Sequence, residues 1–119
     1  MIISHYCLKI NAMILFIRVI NNHMSYTHKV IYTKPNAEIA DRVPAAEFTN
    51  LIDSYFNAGK IIQKPTKTED GLTTTFTTIF NTQEDKIAFS QEEVVIANNN
   101  ARVQHCEDNL ISYSLESGV

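Results

Sequence analysis

Two pairs of side chains in this 119-residue chain have the types and the spacing to do chemistry. His28 and Tyr32 lie in an alternating run, THKVIYTK, so a strand there presents both on one face with Val30 between them. An imidazole beside a phenol could orient a phenolic or carbonyl compound and relay a proton. On the covered side of a sheet the same two residues are core, and alternation alone leaves the face open. Arg102 and His105 are three apart in a helical run and share a face. Arg102 could hold an anionic ligand, or pair with Glu107 or Asp108 in the weak kind of ion pair common near helix ends. His105 also suits the negative end of a helix dipole for purely electrostatic reasons. A haem or metal role for it lacks a second ligand at metal spacing, and Cys106 points about 100° away around the helix. These four residues are the candidate ligand-binding set. No catalytic residue, metal site or cofactor is expected.

Other chemistry is excluded by what the chain lacks. There is no dinucleotide fingerprint, Walker loop, HExxH, GxSxG or calcium-loop pattern, and only three glycines are available to cradle a phosphate. The net charge of -3, with 19% charged residues, gives no clustered basic face for nucleic acid. The two cysteines, Cys7 and Cys106, form no CxxC pair and no disulfide framework, which points to a reducing, cytoplasmic setting and to a buried, unreactive Cys106.

Residues 1–23 differ in character from the rest. Their apolar stretch, 12–20, is broken by Arg18 and is far shorter than the roughly 20 residues that span a bilayer. No small-x-small cleavage site follows it. Three readings stand: a leader that is not part of the natural domain, which would then begin near Met24; an extra strand over 13–20; or a membrane-surface anchor. Residues 24–119 form one domain, with no membrane partner expected.

The elements that must position the candidates follow in order. Residues 27–34 read as a central strand, apolar on both faces and ended by Pro35. Pro44 is expected at the first helical position. Phe48, Leu51, Ile52, Tyr55 and Phe56 then mark one stripe of an amphipathic helix closed by Gly59. Residues 60–69 read as a second strand, which Pro65 confines to an edge or a bulge. Asp70-Gly71 signals a hairpin. Residues 72–80 are the clearest strand, with Leu72, Thr74, Phe76, Thr78 and Phe80 facing helices and Thr73, Thr75, Thr77 and Ile79 on a bare face. Thr82 and Asp85 resemble a capping box, and Ser90 with Glu93 resembles a second, so the helix that follows is expected to bend or split near Ser90. It continues to about Asn109, least securely through Asn98-Asn99-Asn100. Residues 110–116 form the last strand, and Ser117 to Val119 are expected to fray.

The order β-α-β-β-α-β defines an α+β, ferredoxin-like arrangement: a four-stranded antiparallel sheet with two helices on one face. The RNA-binding domains of the same order carry a basic-glycine-aromatic signature that is missing here. The split second helix and the run Arg102-x-x-His105-x-x-x-Asn109-x-Ile111 resemble the dimeric α/β-barrel superfamily, which includes antibiotic-biosynthesis-type monooxygenases. His105 stands where an aromatic is commoner in that group, and Leu110 where a small residue is. The resemblance implies a homodimer whose two sheets face one another around a cavity that could hold a small molecule. The expected function is a homodimeric binding or accessory protein; the alternative is a cofactor-independent monooxygenase or haem-degrading enzyme.

Overall fold

The computed structural model describes residues 24–119; the leader, with its three readings, lies outside the described residues. The elements are β1 (Tyr26–Thr33), α1 (Ala46–Asn57), β2 (Ile61–Asp70), β3 (Thr73–Phe80), α2 (Gln83–Ser90), α3 (Glu93–Asp108) and β4 (Ser112–Gly118). The strands form one antiparallel sheet in the order β2-β3-β1-β4. The class is α+β, with three helices rather than two because the second is split after Ser90.

The two strands with apolar residues on both faces, β1 and β3, take the centre, while Pro65 lies in β2 at the edge, beside two register shifts. The hairpin loop is Gly71-Leu72, one residue later than Asp70-Gly71 suggests. Gly71 has φ 61° at the first loop position, where a type II′ turn needs glycine. Because cross-strand partners share a face, the register aligns His28 with Thr78 and Ser117, Val30 with Phe76 and Leu115, and Tyr32 with Thr74 and Tyr113. All three helices lie over this face. The threonine face of β3 carries no helix among the described residues.

The core sits where α1 and α2 meet the sheet. Ile61 and Phe80 are almost wholly buried, with Ile52, Tyr55, Phe89 and Val95 around them. The Phe89 ring lies 5.1 Å from that of Tyr55, 5.4 Å from Phe80 and 6.0 Å from Phe48. Edge-on aromatic contacts of this kind add about 0.5–1.5 kcal/mol each beyond the area they bury. Phe56, at the end of the α1 stripe, is instead exposed beneath the Lys64 ammonium, 5.0 Å from its ring.

The helix ends show which local signals governed. Thr82 Oγ1 accepts from the Asp85 amide at 3.0 Å, as the capping pattern predicts. Ser90 does not cap α3. Its hydroxyl donates back to the Ile87 carbonyl at 2.7 Å, and Glu92 takes the N-cap position without a side-chain bond. Pro44 precedes the N-cap residue Ala45 rather than opening α1. α3 runs unbroken through its three asparagines. It ends on a pair of bonds, Ile111 amide to Cys106 carbonyl and Leu110 amide to Glu107 carbonyl, with Leu110 at φ 57° where glycine is usual. That turn shortens β4 at its start. At its other end Ser117 and Gly118 pair with β1 instead of fraying.

Candidate functional site

α3 packs on α1 and α2 but stands off the strands, and a cavity of about 420 Å³ fills the gap. The cause lies in the residues that α3 turns inward. Val95, Asn98, Asn99, Arg102 and His105 recur at helical spacing and line the cavity. Only the first is apolar, so most of this stripe cannot close onto the sheet as α2 does with Phe89. Opposite it lie His28, Val30 and Tyr32 of β1 and Thr74, Phe76 and Thr78 of β3.

All four sequence candidates therefore line one cavity. It is not the cavity that the family resemblance implies. It lies beneath the helices of a single chain, not on the bare sheet face. Of the two alternatives for His28 and Tyr32, the structure shows the helix-facing side, not the open one; there they are half-buried beside a hollow instead of packed into the core.

His28 Nδ1 and Ser117 Oγ are 2.6 Å apart. Burial, then the nearby charges of Lys86 and Arg102, hold the imidazole down to about 4, so it is neutral at physiological pH. Tyr32 meets Phe76 edge-on at 6.0 Å, and burial raises its phenol above the ordinary value. His105 is half-buried, and the Asn109 side-chain amide donates to its carbonyl at 2.9 Å, one turn on.

Arg102 departs most from expectation. It is only 7% exposed and makes no ion pair with Glu107 or Asp108. Its guanidinium lies 5.3 Å from the Tyr113 ring centre, and its Nε has no hydrogen-bond partner among the described residues. Spacing on α3 placed Arg102 near a helix end, where the surface ion pair is the common outcome. Burial came from β4, which brings Tyr113 beneath the helix.

Residues 34–45 form a strap that adds Lys34, Asp41, Arg42 and Pro44 to the lining. Lys34 Nζ donates to the Ile39 carbonyl and pairs with Asp41, each at 2.7 Å. Lys67 pairs with the other oxygen of Asp41 at 2.8 Å and with Glu69 at 2.9 Å. Those two ammonium donors hold the Asp41 carboxyl down to about 2. Arg42 Nη2 donates to Asn98 Oδ1 at 2.9 Å, tying the strap to α3. Sequence reasoning missed Arg42, Lys86 and the asparagines. The one available signal was a polar run in the middle of a helix, where it weakens the helix and so invites another explanation.

Cys106 is buried on α3 outside the cavity lining, and burial pushes its thiol up, as an inert core cysteine requires. No group of three or more His, Cys, Asp or Glu side chains converges on a metal position among the described residues. None of the described helices is long and apolar enough to cross a membrane. No protein-family model matches the chain, and no curated protein matches its sequence.

Proposed function

We propose that this protein is a small-molecule-binding or accessory domain without catalytic chemistry, whose ligand occupies the space between α3 and the sheet. The observation that carries this is the cavity itself. Its volume, and its hydrocarbon surface set with convergent polar and cationic side chains, are those of a ligand site rather than a packing defect. A neutral, environment-sensitive naphthylamine dye should bind with enhanced fluorescence. Val30→Trp, which fills the space from β1, should abolish that signal while leaving the far-ultraviolet circular dichroism unchanged. Dye binding that survives the substitution would place the ligand elsewhere.

The domain further belongs, on this proposal, with the ferredoxin-like dimeric α/β-barrel proteins and acts as a homodimer in the cytoplasm. Support comes from the paired central strands β1 and β3, the split second helix, and a free, buried Cys106. The threonine face, with Ile31 and Ile79 half-buried on it, is the surface for the second copy. Sedimentation velocity should give a dimer that Thr77→Lys converts to monomer; a monomer in the unaltered protein sinks this part alone. A second reading, oxidation of a phenolic or quinol compound by dioxygen, one oxygen atom entering the product at the quinone level and the other leaving as water, is favoured by one observation: the neutral His28 imidazole lines the same cavity as Tyr32. Turnover of a quinol that disappears in both His28→Ala and Tyr32→Phe would establish it.

A further inference from the structure

We infer that the ligand is an amphipathic carboxylate, a single anionic head on an apolar body, and that Arg102 grips the head. This deepens the binding proposal and rests on it. A buried guanidinium is tolerated in proteins when a carboxylate satisfies it. Here the chain supplies none. All thirteen of its aspartates and glutamates lie within the described residues, since residues 1–23 contain neither, and none pairs with Arg102. The cation–π contact with Tyr113 brings no formal negative charge to the guanidinium.

The surroundings point the same way. In a chain of net charge -3, the cavity lining gathers Lys34, Arg42, Lys67, Lys86 and Arg102 against a single acid, Asp41. Asp41 is already shared between Lys34 and Lys67. Arg42 is held by a neutral amide, and Lys86 forms no ion pair among the described residues. The planar guanidinium fork also selects the head group. It matches a carboxylate with two parallel hydrogen bonds, and no acidic side chain of the described residues occupies it. No glycine-rich loop stands by among the described residues to give a phosphate its usual cradle of backbone amides. Beside the neutral polar groups of the wall, Val30, Phe48, Phe76, Phe89, Ile111 and Leu115 supply hydrocarbon that suits an aliphatic or aromatic body.

The test is a matched pair of ligands, decanoate and decanamide, titrated calorimetrically into the full chain and into Arg102→Met and Arg102→Lys. The unaltered protein should bind decanoate about tenfold or more tightly than the amide, the margin expected when a charged hydrogen-bonded pair replaces a neutral one. Arg102→Met should erase that preference while still binding the amide, and Arg102→Lys, which keeps the charge but loses the planar fork, should recover only part of it. Equal binding of acid and amide by the unaltered protein overturns the carboxylate assignment and leaves the cavity as a neutral-ligand site. A preference for the acid that persists in Arg102→Met overturns the role of Arg102. Binding of neither, with the naphthylamine dye also excluded, removes the underlying proposal as well. The comparison within the unaltered protein decides the ligand class even if a variant fails to fold.

Discussion

The two ends of the layer between sheet and helices are built from opposite materials. At one end α2 drives Phe89 among Phe48, Tyr55 and Phe80, and the layers close. At the other, α3 presents Asn98, Asn99, Arg102 and His105 to the same sheet, and the layers stay apart around about 420 Å³. Both helices follow the same strand, separated only by the short break after Ser90. The difference teaches that the hollow is specified side chain by side chain: hydrocarbon at one end, amide, imidazole and guanidinium at the other. The break lets each helix choose its own distance from the sheet.

The comparison can be broken most sharply at its closed end. Phe89→Ala should cost about 3–5 kcal/mol, the usual loss for a buried aromatic, read as a lowered urea midpoint. A loss below about 1 kcal/mol would mean that this end is not the packed one. Truncation at the open end should have the opposite sign. Arg102→Met removes an uncompensated buried charge and should leave stability unchanged or raise it by about 1–4 kcal/mol in the absence of ligand. A large loss would show that the guanidinium holds the fold rather than a ligand.

Smaller effects sharpen the boundary of the open end. Leu110 closes α3 in a left-handed conformation that costs a residue with a Cβ about 1–2 kcal/mol. Leu110→Gly should recover roughly 1 kcal/mol in the same denaturation experiment, after the entropy glycine adds to the unfolded chain is subtracted. The smallest expected effect is on pH dependence. His28 is held down to about 4 from 6.5, so between those values the unfolded chain takes up the proton before the folded one does. The contribution of the neutral ring is fully present above 6.5 and is lost as pH falls toward about 4. The part-exposed ring and solvent screening keep the amplitude modest. Urea midpoints measured across that window should decline with acidity, and His28→Gln should flatten the decline. An unchanged slope in the variant would assign the acid sensitivity to another group.

Much of the fold was legible because period and punctuation are local. Alternation placed Phe76 and Phe80 on the helix side of β3, Pro65 sent β2 to the edge, Thr82 opened α2, and Gly59, at φ 76°, follows the end of α1. Where local signals compete, the sequence misled. Ser90 looked like the cap of a new helix, yet its hydroxyl serves the helix that is ending. Asn98 to Asn100 looked like a weak point, yet α3 passes through them, with Asn98 bound to Arg42 from the strap. His28, Tyr32, Arg102 and His105 could be nominated by residue type, whereas the residues that complete the site from the strap and α2 could not.

Sequence by itself determined the kinds of element, their order and which strand faces are apolar, since these depend on neighbours a few residues apart along the chain. Tertiary structure alone decided that Arg102 is enclosed, that His28 remains uncharged, and that both look into one space. Those properties are set by distance and desolvation among groups up to 89 positions apart, as the His28 contact with Ser117 shows, and no periodicity encodes them.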